Sequence, residues 1–190
     1  TIKKKDVTIS VADDSKLYGE QDPEFEDATI SEYVGEDLAG IDLAVSRSDA
    51  GDDTLGTHEA VLQIGQTADG LNAAYTNYSF TVGTGDFVIS ENQTGALTVS
   101  ADNVVETYDG SAYGVEAKAS LEGATVKYWN DETQAYDLDQ SPAFTNWTNG
   151  PQTVKFQATL YGYKTAEGEA TVTIKKKDVT ISVADDSKLY

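Results

Sequence analysis

The stretch Val7-Thr8-Ile9-Ser10-Val11 carries an apolar side chain at every second position, the period that turns successive residues to opposite faces of a β-strand. A half-buried strand must be covered on one face, so the chain is committed to packed sheets. These five residues lie inside TIKKKDVTISVADDSKLY, which occurs twice without change, at Thr1–Tyr18 and Thr173–Tyr190. The period, from Thr1 to Thr173, is 172 residues.

A weaker echo divides that period. LTVSADNVVETYDG at Leu97–Gly110 aligns with VTISVADDSKLYG at Val7–Gly19, matching Leu97, Val99 and Ala101 to Val7, Ile9 and Val11. Each echo follows a Gly-led strand, GDFVIS at Gly85–Ser90 and GEATVTI at Gly168–Ile174. Two modules are expected, at 7–90 and 97–174, joined by a linker at 91–96. Residues 1–6 then read as the last strand and linker of a preceding module, 175–178 as a linker, and 179–190 as the first strand of the next repeat. The chain holds no Met and no signal peptide, as expected of a segment of a longer protein.

Further strands are predicted at 24–30, 42–47, 58–64, 78–82, 86–90, 115–120, 125–129, 153–160 and 169–174, separated by turn clusters such as DAGDD, TADGLN and WTNG. Only EYVGEDLAGI offers a helical turn. The expected fold is all-β, two tandem Ig-like sandwiches, with a β-grasp-like α+β fold as the alternative for the first module. Val154, Phe156, Ala158 and Leu160 share one face of a strand, as do His58, Ala60, Leu62 and Ile64. The tyrosines of NYSF and YGYK read as structural, with rings packed inward and hydroxyls on backbone.

Acidic residues outnumber basic ones 33 to 13, and between Leu17 and Ala117 the one basic side chain is Arg47, among twenty carboxylates. Such a surface repels nucleic acid and anionic membranes. No apolar run is long enough for membrane insertion. Without cysteine there are no disulfides and no thiolate metal site.

At KLYGEQDPEF the first module resembles the MBG domain (YGX type), a repeat of bacterial surface adhesins. The pattern falls on Tyr18-Gly19, Asp22-Pro23, Glu36-Asp37-Leu38, Gly56-Thr57, Asn77-Tyr78 and Gly85–Ile89, with His58 where the family has Tyr. The second module has TYDG in place of the Tyr-Gly and Asp-Pro pair and resembles a bacterial Ig-like adhesin repeat. The resemblance implies a surface-anchored, extracellular tandem array with no carried-over catalytic or ligand residues.

Candidate chemistry is sparse. His58 is the only histidine, and its strand register points it to the core, against a nucleophilic triad. The chain therefore reads as no enzyme and needs no cofactor, with calcium as the one cation considered. Asp49, Asp52 and Asp53 in SDAGDDTLG offer hard oxygen ligands in a Gly-containing turn, and NDETQAYDLDQ offers Asn130, Asp131, Asp137 and Asp139. Lys118 and Lys155 face away from their apolar neighbours, which argues against a buried lysine crosslink. Tyr128, Trp129, Tyr136 and Trp147 could stack on sugar rings, Trp129 being the ring expected outside. The expected function is the repeat unit of an adhesin stalk, its partners neighbouring repeats and a host glycoprotein, mucin or glycan. The alternatives are a carbohydrate- or mucin-binding module with its own site, or an accessory domain of a secreted glycosidase.

Overall fold

The computed structural model describes residues 2–184, 186 and 188, and the chain divides into two units, Thr1–Gln93 and Thr94–Tyr190. Both are all-β and Ig-like. The first contains β1 (Lys5–Ser10), β2 (Asp14–Leu17), β3 (Thr29–Ile30), β4 (Val45–Arg47), β5 (Gly56–Ile64), helix α1 (Ala68–Ala74), β6 (Tyr78–Val82) and β7 (Gly85–Ser90). They form two sheets, in the orders β3-β1-β6 and β2-β7-β5-β4.

The alternating segment behaves as its pattern demands. Val7 and Ile9 are fully buried while Thr8 and Ser10 face solvent. β1 runs parallel to β6 and antiparallel to β3. After Val11-Ala12-Asp13 the chain enters the other sheet as β2, parallel to β7. One continuous stretch thus supplies a strand to both sheets. Between them lies a core of Val7, Ile9, Tyr78 and Phe80 from one sheet and Ile64 from the other, with Leu38, Ile41 and Leu71 from the connections.

The second unit contains β8 (Val99–Ser100), β9 (Val104–Thr107), β10 (Lys118–Ala119), β11 (Thr125–Asn130), β12 (Ala135–Leu138), β13 (Gln152–Thr159) and β14 (Ala166–Lys175). It repeats the device: β8 pairs antiparallel with β10, then β9 pairs parallel with β14 in the sheet β12-β11-β13-β14-β9. Val154, Phe156, Ala170, Val172 and Ile174 form its core with Tyr128 and Val115. The glycines that mark each final strand are placed for clearance. A Cβ at Gly85 would lie 2.3 Å from the Ala12 carbonyl oxygen, and one at Gly168 would lie 2.6 Å from the Phe156 ring and 3.1 Å from the Val99 carbonyl oxygen.

Several expectations need correction. TADGLN, read as a turn, is mostly helix α1: the Thr67 hydroxyl caps the Gly70 N–H, and buried Leu71 anchors the turn to the core. With two sheets and one seven-residue helix, the first unit is a sandwich and not a β-grasp. Ala60 is exposed, not core-facing, because the β5–β7 register shifts between His58 and Leu62 and Ala60 takes a φ of 56°. Tyr161 of YGYK is 60% exposed. The acidic stretch after Trp129 forms the hairpin β11–β12. Strand structure at 115–120 shrinks to β10, since Val115 and Ala117 are held by side chains instead of a ladder. Of the predicted strand at 24–30, only Thr29–Ile30 is one. Lys5 and Asp6, read as linker, already pair with β6. Residues 176–184 carry no strand, and Asp185, Ser187, Leu189 and Tyr190 of the expected next strand lie outside the described residues.

Gly85→Ala is expected to destabilise the first unit by about 2 kcal/mol, because its new methyl meets main chain that cannot rotate away. That corresponds to a melting temperature lower by about 10 °C. Gly40→Ala, with nothing within 4 Å of the added carbon, is the control that calorimetry should find unchanged.

Candidate functional site

Arg47 ends the edge strand β4, yet its side chain is only 1% exposed. A guanidinium removed from water needs its donors matched, and here they are. Nη1 donates to both carboxylate oxygens of Asp22 at 3.0 and 3.2 Å, Nε donates to Asp49 Oδ1 at 2.7 Å, and Nη2 donates to the Asp52 carbonyl. The Arg47 Cζ lies 4.6 Å from the centre of the Phe87 ring. Lys16 on β2 is buried beside it, with Nζ 2.7 Å from Asp22 Oδ1 and 2.5 Å from Asp53 Oδ1. His58 Nδ1 meets Asp49 Oδ2 at 2.6 Å and Nε2 meets the Thr54 carbonyl at 2.9 Å.

The charges support one another. Burial alone would lower the Lys16 and Arg47 pKa values, but the carboxylates outweigh it and hold both above their ordinary values. Burial would raise Asp22 and Asp49, and the cations instead hold both below the usual carboxylate range. The Thr54 carbonyl, with Asp49 behind it, raises His58 against the opposing effect of burial.

Each of the three acids of the expected calcium turn has a partner within the protein. Asp49 binds Arg47 and His58, Asp53 turns to Lys16, and Asp52 accepts from the Thr54 N–H. Among the described residues, Asp49, Asp52 and His58 bring their ligand atoms within 4.8 Å of one another, a grouping that could hold a metal ion. In the hairpin, Asp131 accepts from Trp129, Asp137 from Thr133, and Asp139 from Lys127.

The motif residues are tied to the same core. Gly19, at φ 81°, closes the turn that sends Asp22 and Pro23 back over β4, while the Tyr18 N–H donates to the Ser90 carbonyl. Asn77 accepts the Lys5 N–H at its carbonyl. Tyr78 is buried, donates to Asp37 Oδ2 at 2.8 Å and accepts from the Val34 N–H, so the Glu36-Asp37-Leu38 and Asn77-Tyr78 elements meet. Lys16 is buried by acids that lie outside the recurring stretch, so nothing near it in sequence marks it.

The aromatic candidates divide. Tyr128 is buried, its hydroxyl accepting from the Ala117 N–H and donating to the Val115 carbonyl. Trp129 is half-buried, edge-on to Tyr136 at 5.1 Å across the hairpin. Trp147 is 48% exposed, with Lys176 Nζ 4.2 Å from its ring centre. It lines an open pocket of about 590 Å³ with Tyr108, Asn146, Lys177 and Val179.

Residues 7–88 match the family model of the MBG domain (YGX type). The chain is similar to the solution structure of the PKD domain (329–428) from human KIAA0319, at 18% identity and a TM-score of 0.35, over 50% of this chain and 92% of that one. It is also similar to Sidekick-1 immunoglobulin domains 1–4, at 15% identity and a TM-score of 0.29, over 50% of this chain and 29% of that one. No curated protein sequence matches it.

Arg47→Met should destabilise the first unit by about 3 kcal/mol in denaturant titrations, the low end for breaking a buried pair, because Asp22 and Asp49 keep some water contact. The network also sets a pH profile. The raised His58 contributes fully below its unfolded pKa of about 6.5, and this is lost as pH rises through the folded value. The lowered Asp22 and Asp49 contribute above about pH 4, and this is lost as pH falls through their folded values. Stability is expected to peak at about pH 5–6, and His58→Asn should flatten the alkaline limb and weaken the acid limb in part, because His58 also helps hold Asp49 low.

Proposed function

We propose that the chain is a repeat segment of a bacterial cell-surface protein, extending that protein from the surface and contributing to adhesion. The observation that carries this reading is the unchanged recurrence, 172 residues on, of the stretch that opens the MBG-matching unit. The role is mechanical and not enzymatic. In each unit a strand from the opening segment runs parallel to the final strand, β2 to β7 and β9 to β14. Tension entering at one end of a unit and leaving at the other shears such a pair, loading its hydrogen bonds together instead of one at a time. Among the described residues no helix is long and apolar enough to cross a membrane.

A second reading, glycan or mucin binding, rests on the half-exposed Trp147 ring in its open pocket with Tyr108 and Asn146. Trp147→Ala should then abolish binding on a glycan array or mucin surface, and Trp129→Ala should not. For the mechanical reading, single-molecule stretching should resolve two separate unfolding events per chain. Extension at low force without discrete events would overturn it.

A further inference from the structure

His58 is the chain's one histidine, and it stands in β5 beside the loop, residues 48–55, that carries Asp49 and Asp52. One ligand atom from each of the three lies within 4.8 Å of the others. Asp49 and His58 are half-buried and Asp52 is exposed, so an ion arriving from solvent can reach all three.

Each of these side chains has one atom fixed from behind and another left to bind. The Thr54 carbonyl can only accept, so His58 Nε2, 2.9 Å away, carries the ring hydrogen, and Nδ1 is the nitrogen able to give a lone pair. Asp49 Oδ1 is held by Arg47 Nε at 2.7 Å, which leaves Oδ2, 2.6 Å from His58 Nδ1. Asp52 Oδ1 accepts the Thr54 N–H at 3.0 Å, which leaves its second oxygen. An imidazole nitrogen with two carboxylates suits a borderline ion such as zinc, whereas calcium takes oxygen alone. Zinc bonds of about 2.0–2.1 Å set neighbouring ligands about 3.4 Å apart, so Nδ1 and Oδ2 need to part by only about 0.8 Å.

Charge points the same way. With His58 neutral, the network sets four carboxylates, Asp22, Asp49, Asp52 and Asp53, against two cations, Lys16 and Arg47. Four less two leaves two negative charges, which one divalent ion neutralises.

We propose that Asp49, Asp52 and His58 bind a divalent transition-metal ion of the zinc type, through His58 Nδ1 and one oxygen of each carboxylate. The ion takes the place of the hydrogen between His58 and Asp49, which passes to water. Binding ties β5 to the loop that closes over Arg47, and three protein ligands leave a fourth position for water.

The test is thermal melting of the full chain without an affinity tag. Zinc chloride at about 1 mM should raise the first unit's melting temperature by several degrees, and calcium chloride at the same concentration should leave it unchanged. Asp52→Asn, whose amide oxygen can still accept the Thr54 N–H, should keep the metal-free melting temperature and lose the zinc shift. His58→Asn should lose the zinc shift as well. Nitrogen NMR of the single histidine reads the site directly: zinc should move the Nδ1 resonance and leave Nε2 protonated. Four results overturn the proposal: no zinc shift, a calcium shift of equal size, which puts the ion on the aspartate oxygens alone, a zinc shift that survives in either variant, or an Nδ1 resonance that zinc leaves in place.

Discussion

The first unit depends on how one guanidinium is kept from water. Arg47 closes the short strand β4, and its three acidic neighbours come from parts of the chain that no ladder joins. Asp22 arrives on the turn after β2, and Asp49 and Asp52 on the loop before β5. Removing a guanidinium from water costs several kcal/mol, and only complete matching of its donors offsets that. The network's net gain in stability is therefore modest, but any misplacement of either loop leaves a buried charge unmatched. Its effect is to specify one arrangement of loops over a sheet edge. The Asp-Pro of the family pattern is legible as chemistry on this ground: Asp22 bridges Arg47 and Lys16, and Pro23 fixes the chain that leads away.

The second unit solves the same problem without a cation. Where the first has Tyr-Gly and Asp-Pro, it has Tyr108-Asp109-Gly110, and Asp109 is satisfied by the Ser111 N–H and the Tyr113 hydroxyl. The neighbouring segment is held by Tyr128, whose hydroxyl takes the place of ladder bonds for Val115 and Ala117. What the two units share is backbone geometry: an opening strand that changes sheets, and a glycine under the crossing. The divergence of motif therefore tracks a change from ion pairs to a carboxylate held by neutral donors.

Much of this was legible because it is local. Period-two alternation located β1, β11 and β13, and the two Gly-led stretches located β7 and β14. The MBG resemblance rested on residues whose mutual contacts, Asp37 with Tyr78 for example, span 41 positions. Less was legible where long-range partners decide. The exposure of Ala60 follows from Asp86, which binds its N–H and fixes the bulge, and no pattern within β5 reveals that. Helix α1 hid behind Gly70 and Asn72, turn residues by propensity, yet Asn72 serves by accepting the Phe80 N–H. Burial of Lys16 required Asp53, far along the chain. Among the aromatics, strand register put Tyr128 on the core side, but Trp129, expected outside, is half-buried against Tyr136, and Trp147 lies outside any strand and had no register to read.

Acidity and repetition constrain each other. A chain that repeats a sheet-forming stretch without change offers every folding unit two equivalent strands, a recognised route to misassembly. The two repeats concentrate lysine while the rest of the chain carries most of the carboxylates, so the opening strand is drawn to acidic bodies but body repels body. Side-by-side association of finished units is thereby disfavoured.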